Sequence, residues 1–210
     1  MKLEMQNIPS TLEVEHLIWQ ENISLLAGID EAGRGPLAGP VVAAAVIFEP
    51  YQFIDGVDDS KKLKAKKREE FFDLIVEKSF TYGLGIVDSV EIDKVNIRQA
   101  TFKAMRKAIG SLSQKPEYLL IDGEELPDKL FAQEAFVEGD GRSFTIAAAS
   151  ILAKVTRDRL MIEYHQTYPQ YGFDRHKGYG TAFHREMIKK HGPCPIHRRS
   201  FLKKLLGTER

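Results

Sequence analysis

The chain has a single cysteine, Cys194, in 210 residues. No intrachain disulfide is possible, which excludes a disulfide-stapled scaffold and suits a reducing compartment. Net charge is also missing: 30 Lys and Arg stand against 30 Asp and Glu. No global positive field therefore announces a nucleic-acid partner, and any such partner must be held by local basic patches. No apolar run approaches the length of a membrane span. The first stretch, Met1 to Glu21, scatters acids where a signal peptide needs an apolar centre. There is no internal repeat and no low-complexity linker. What is present is 43% apolar residues, ordinary for a globular protein and too many for a disordered one. One ample, soluble, cytoplasmic domain is expected.

The order of elements follows from periodicity and punctuation. Ser10-Thr11 is placed to cap a short helix through Leu12, Val14, Leu17, Ile18 and Trp19. Strands are expected at Ile23–Asp30, Val41–Phe48, Phe80–Val87, Tyr118–Asp122 and, more weakly, Glu134–Val137. The tight Gly/Pro link between the first two favours an antiparallel pair. Helices are expected at Leu63–Lys78, Asn96–Leu112 and Ser143–Tyr168, with Asp88 or Ser89 capping the region before the second. Pro116 and Pro169 act as breakers. Thr181 caps a last clear helix to Lys190, and the tail beyond Pro195 is basic. The small residues Ala147-Ala148-Ala149-Ser150 let the longest helix lie close on a sheet. An α/β domain on a mixed sheet of about five strands results, with a helical C-terminal segment.

Asp30 and Asp122 both end apolar strands. If these strands are parallel neighbours, the two acids meet at one edge of the sheet, where open α/β sheets take their ligands. Asp140 follows a third strand and precedes a helix. Glu31 points across the strand axis from Asp30 unless the chain turns there. Converging carboxylates raise one another's pKa, and a divalent cation relieves the repulsion. Oxygen ligands without Cys or His favour magnesium or manganese over zinc. Taken singly, Asp140 reads equally as a helix N-cap and Asp122-Gly123 as a turn. Asp30-Glu31 is less easily explained that way, because charges after a buried strand need a partner.

Gly33, Gly35 and Gly39 do not open a helix, and Pro36 and Pro40 interrupt them, so a dinucleotide fingerprint is a poor fit. They read better as bare backbone that a sugar-phosphate can approach, with Arg34 beside it. A plain hairpin turn is the bland alternative. Tyr179, between Gly178 and Gly180, is placed to stack on a ring or donate its hydroxyl; a buried tyrosine is the alternative. Lys61, Lys62, Lys64, Lys66, Lys67 and Arg68 mostly read as a solvated face, with Lys61 the exception after its turn. Lys154 and Arg157 face a phosphate or pair with Asp158. Cys194 and His197, near His184 and His191, make a weak zinc pattern.

These segments together resemble ribonuclease HII. The opening signature is Asp30-Glu31-Ala32-Gly33-Arg34-Gly35-Pro36-Leu37-Ala38-Gly39-Pro40-Val41-Val42. It is followed in family order by Asp59-Ser60-Lys61-Lys62-Leu63, Ile121-Asp122-Gly123, Gly139-Asp140, Ala147 to Asp158, His176 to Thr181 and His197-Arg198-Arg199-Ser200-Phe201. The resemblance spans about residues 24 to 203. It implies a ribonuclease H-like fold and cleavage of RNA in RNA·DNA hybrids. It also implies incision 5′ of ribonucleotides embedded in duplex DNA, with 3′-hydroxyl and 5′-phosphate products. Carried over by motif, Asp30, Glu31, Asp122 and Asp140 are the catalytic acids and ligands of two Mn2+ or Mg2+ ions. Gly33, Arg34, Gly35, Lys61 and Tyr179 bind substrate, and the glycine segment and Tyr179 read the 2′-hydroxyl at the RNA–DNA junction. The expected organisation is a short appendage over residues 1–22, a catalytic core over 23–168 and a substrate-contacting helical segment over 169–210. A monomer without membrane partners is expected.

Two residues depart from the bacterial pattern: Glu124 where Asn is usual, and Glu138 where Lys is usual. Both make the neighbourhood of the acids more acidic. The nearest rival is ribonuclease HIII, which carries a further N-terminal domain and usually lacks the arginine at the place of Arg34. A non-catalytic hybrid-binding module is a second rival, disfavoured because a binder gains nothing from acids concentrated beside phosphates.

Overall fold

The computed structural model describes residues 12–57, 60 and 63–207. The Ser10-Thr11 cap and Lys61 therefore lie outside the described residues. Five strands, β1 (Leu26–Ala32), β2 (Val41–Ile47), β3 (Thr81–Val87), β4 (Tyr118–Asp122) and β5 (Ala132–Phe136), form one sheet in the order β3-β2-β1-β4-β5. The Gly/Pro connection yields the expected antiparallel β1–β2 pair, and β3 extends it antiparallel. On the other side β4 and β5 run parallel to β1 and to each other. The sheet is thus mixed.

The helices are α1 (Glu13–Trp19), α2 (Ala65–Lys78), α3 (Ser89–Val95), α4 (Ile97–Gly110), α5 (Phe144–Thr167), α6 (Phe173–His176), α7 (Ala182–His191) and α8 (Arg199–Leu206). Four start on a side-chain cap: Asp88, Asn96, Ser143 and Thr181 accept from the amides of Glu91, Gln99, Ile146 and His184. Each removes an orphan donor at a helix start.

Period-two alternation sends β2 to two cores. Ala44 and Val46 pack on the face covered by α5 and α2, while Val41, Ala43, Ala45 and Ile47 pack on the face covered by α4. Both faces are apolar because both are covered, so this strand reads as a continuous apolar run. A third cluster, Ala38, Met161, Tyr171, Phe173, Ile188, Cys194 and Leu202, lies off the sheet among the C-terminal elements.

Helix α5 crosses the sheet so closely that only glycine fits beneath it. A Cβ on Gly28 would stand 2.2 Å from the Thr145 carbonyl carbon. The N-terminal helix is tied to the same place. Glu15 of α1 is fully buried, and its Oε1 accepts from Ser143 Oγ at 2.6 Å and from the Thr145 amide at 2.9 Å. Strand β1 begins later than expected and runs through Glu31 to Ala32, so Glu31 sits inside the strand rather than in a turn. No described helix is long and apolar enough to cross a membrane.

Candidate active site

Because β1 and β4 are parallel with Ile29 opposite Ile121, Asp30 and Asp122 come next on adjacent strands. Both share the α5 face with Gly28 and Leu120, whereas Glu31 follows Ala27 and Ile29 onto the α4 face. At the strand end the three acids line one cleft of ≈ 270 Å³ with Gly33, Arg34, Gly35, Ser60, Ser150, Lys154, Arg157 and Tyr179. Asp30 is 4% exposed. Burial first, then the charges of Glu31 and Asp122, hold its carboxyl well above the usual range, against a hydrogen bond from Ser150. Burial also raises Glu31, although the Arg34 guanidinium pulls it back down.

Asp140 is buried but is not among the residues lining the cleft. It sits in the short 3-10 turn Gly139–Gly141, behind Asp122, whose Oδ1 accepts the Gly139 amide at 2.7 Å. It is not the cap of α5; that position belongs to Ser143. Asp122 is the last residue of β4, its side chain bonds the distant Gly139 amide rather than the chain that follows it, and it lines the cleft.

The glycine segment and Tyr179 come together although they are far apart in sequence. A Cβ on Gly35 would lie 3.9 Å from Tyr179 Cε1, ordinary contact. Tyr179 is 47% exposed, so it is not a core tyrosine. Arg34 Nη1 donates to Glu31 Oε1 at 3.2 Å. Of the two basic residues noted on α5, Lys154 pairs with Asp158 at 2.7 Å while lining the cleft. Arg157 is buried and donates to backbone carbonyls instead.

Sequence reading missed Ser60 and Ser150, whose hydroxyls meet at 2.8 Å beside Asp30. Both fall inside family-like blocks, but nothing in their spacing joins two hydroxyls 90 residues apart. The weak zinc pattern resolves into a hydrogen-bonded chain: Cys194 Sγ lies 3.1 Å from His197 Nδ1, and His197 Nε2 lies 3.0 Å from His184 Nε2. Glu124 is not a loose charge, since Arg98 Nε donates to it at 2.9 Å.

The donor set suits a hard divalent cation. It is all oxygen, it carries strained like charge, and Glu31 Oε2 is buried with no hydrogen-bond partner among the described residues. As they stand, no three acids among the described residues converge closely enough to hold an ion. Asp122 is turned to the Gly139 amide and Glu31 to Arg34.

Known proteins identify the family and the fold. The profile described as Ribonuclease HII matches residues 27–204. Ribonuclease HII of Caldanaerobacter subterraneus subsp. tengcongensis is 52% identical over 206 residues, covering 98% of this chain and 86% of that protein. The crystal structure of ribonuclease H2 from Pyrococcus horikoshii superimposes with a TM-score of 0.73 at 30% identity, covering 87% of this chain and 97% of that one. Bst-RNase HIII in complex with Mn2+ shares the fold alone, with a TM-score of 0.70 at 20% identity over 99% of this chain and 76% of its own. The fold is ribonuclease H-like, and the chain belongs to the ribonuclease HII family of metal-dependent ribonucleases.

Proposed function

We propose that this ribonuclease H hydrolyses the RNA strand of RNA·DNA hybrids and incises 5′ of single ribonucleotides embedded in duplex DNA. One observation carries the reading: Asp30, Glu31 and Asp122 share a cleft with Gly33-Arg34-Gly35 and Tyr179. Acids suited to cutting a phosphodiester thus stand beside a bare backbone and a phenol suited to a sugar. The 2′-hydroxyl is what distinguishes RNA from DNA at a given site.

Asp30, Glu31, Asp122 and Asp140 are assigned as holders of two Mn2+ or Mg2+ ions. The raised carboxyls of Asp30 and Glu31 and the unpartnered Glu31 Oε2 support this. When bound, such a pair supplies an activated water and stabilises the leaving 3′-oxygen, giving 3′-hydroxyl and 5′-phosphate ends. The chain's own groups bind and orient. The Ser150 hydroxyl favours the charged form of Asp30, whose Oδ1 also accepts from the Glu31 amide. The Gly139 amide donates to Asp122 Oδ1. Arg34 and Lys154 border the cleft as cations for phosphate oxygens, each held by a carboxylate that it can exchange for substrate. The Gly33-Arg34-Gly35 backbone and the Tyr179 hydroxyl face the ribose. The C-terminal segment over 169–210 belongs to the substrate surface because it supplies Tyr179.

The test is cleavage of duplex DNA with one ribonucleotide, and of a uniform RNA·DNA hybrid, with and without manganese. Asp122→Asn is expected to abolish cleavage of both while hybrid binding persists; full activity in that variant overturns the assignment. Tyr179→Phe is expected to lose preference for the single ribonucleotide more than it loses binding. Binding without cleavage in the unaltered protein, manganese included, identifies a hybrid-binding module instead.

A further inference from the structure

We infer that Arg198 and Arg157 are positioning residues that aim the amides of the glycine segment at the substrate. The inference rests on the reading of Gly33-Arg34-Gly35 as the ribose reader and adds what holds that reader in register. Both guanidiniums are buried, Arg198 at 0% and Arg157 at 1% exposure, and among the described residues their hydrogen bonds go to backbone carbonyls rather than to a carboxylate. A buried charge without a counter-ion is costly unless its donors are satisfied. Here all but one of the bonds they make go to the carbonyls of residues 33–40. Arg198 donates from Nε to the Gly39 carbonyl at 3.0 Å, from Nη1 to Arg34 at 2.9 Å, and from Nη2 to Gly33 at 2.6 Å and Pro40 at 3.1 Å. Arg157 donates from Nε to Pro40 at 3.0 Å and from Nη2 to Ala38 at 3.1 Å. Its Nη1 reaches the Lys177 carbonyl at 3.0 Å, in the stretch that leads to Tyr179. The two side chains therefore fasten the glycine segment and the tyrosine loop to each other.

The direction of the pull matters. No peptide bond among the described residues is cis. In a trans peptide the carbonyl of one residue and the amide of the next point in opposite directions. Drawing the Gly33 carbonyl to Arg198 turns the Arg34 N–H away from the guanidinium, and drawing in the Arg34 carbonyl does the same for the Gly35 N–H. Arg34 and Gly35 line the cleft. Two donors are thereby presented side by side, backed by buried positive charge, which suits a hydroxyl and the adjoining phosphate oxygens. Gly33 has φ +99°, and a Cβ there would stand 2.1 Å from Arg157 Nε. Its lack of a side chain is what lets the guanidinium lie against the chain. The clamp has a backbone frame as well: Leu37 donates to Gly178, Gly39 to Ile196, and Arg198 to Leu37.

Arg198→Lys keeps the charge but cannot reach carbonyls in a fork. With thermal unfolding followed in parallel, kcat/KM is measured on duplex DNA with one ribonucleotide and on a uniform RNA·DNA hybrid, and the cut positions are mapped. A displaced reader costs about tenfold to a hundredfold on the single ribonucleotide. The hybrid, which offers a 2′-hydroxyl in every register, loses much less, and minor cuts appear beside the main one. Parallel loss on both substrates, or an unchanged preference with a single cut position, overturns the inference. If Arg198→Lys does not fold, Arg157→Lys is put to the same measurements, because it joins the glycine segment to the tyrosine loop. Tyr179→Phe is run alongside. A changed preference in Tyr179→Phe but not in the arginine variants overturns the clamp alone, and no change in any of them overturns the ribose reader and the clamp together.

Discussion

Asp30 illustrates how far single residues could be read. An acid at the end of an apolar strand, followed by another acid, needs a partner, and that much is local. Its partnership with Asp122 rests on two strands being parallel neighbours, an expectation that the Ile29–Ile121 register meets. Ser150 and Arg198 were not legible in this way. Their partners, Asp30 and the carbonyls of residues 33–40, lie far away in sequence, and a backbone carbonyl leaves no signature in composition. Glu124 shows the opposite case, an apparent departure that its surroundings absorb. Arg98 pairs with it, and both side chains are about half exposed, so the pair contributes little to stability. Glu124→Gln is therefore expected to change activity by less than about threefold and to leave thermal unfolding essentially unchanged. A tenfold change in manganese requirement, measured by titrating the metal in the cleavage assay, would instead make Glu124 part of the acidic centre.

Among elements, α5 connects most of the molecule. Its interior was legible from Ala147-Ala148-Ala149 and its end from Pro169. Its beginning was legible as Ser143, but the ligand completing that beginning was not. Glu15 comes from α1, which read as an appendage, and its Oε1 also accepts from Thr145 Oγ1 at 3.0 Å. Burial raises its carboxyl above the ordinary range. The contact matters to the site because Asp140 lies just ahead of this helix start. Glu15→Ala leaves buried donors unsatisfied and is expected to cost roughly 2–3 kcal/mol. Ser143→Ala removes the cap and is expected to cost about 1 kcal/mol. In the double variant the costs should fall short of their sum, because the two side chains share a hydrogen bond. Strict additivity in denaturant unfolding would separate α1 from the helix cap. Gly28→Ala tests the other end of the contact. It forces β1 and α5 apart at a backbone-to-backbone approach, and a loss of at least about 3 kcal/mol is expected from overpacking.

For the molecule as a whole, the third apolar cluster is the part most sensitive to acid. It includes Met161 of α5 and Ala38 of the glycine segment, which belong to parts of the chain that also meet the sheet. At its centre His184 and His197 are buried, and burial lowers each from 6.5 to about 4, with repulsion from His176 adding to it at His184 and repulsion from His184 adding to it at His197. His176 stacks on His184 with ring centroids 4.4 Å apart, and Arg199 adds positive charge near His197. Tyr171 packs edge-on against His197, and Cys194 Sγ lies beside it, so no carboxylate stands among these neighbours to welcome a proton. The sign follows from the direction. These rings are easier to protonate in the unfolded chain, so their contribution is complete above pH 6.5 and is lost as pH falls toward 4. One such ring corresponds to roughly 3 kcal/mol, or about 6–12 °C in a chain of this size. Asp30 and Glu31 act in the reverse sense, since their raised carboxyls favour the fold as they protonate. The comparison that isolates the histidines is therefore between variants rather than between pH values. His184→Asn/His197→Asn is expected to be less stable than the unaltered chain at pH 7 and to lose clearly less stability between pH 6.5 and 4. Because His184 Nδ1 bonds the Tyr179 carbonyl at 2.9 Å, and Arg198 follows His197 in the chain, the same acidification should loosen the tyrosine loop and the clamp before the sheet. Hydrogen exchange at pH 5 tests this: amides of residues 176–184 and 194–200 should lose protection while those of β1 and β2 keep it, and uniform loss would mean that the third cluster and the sheet unfold as one unit.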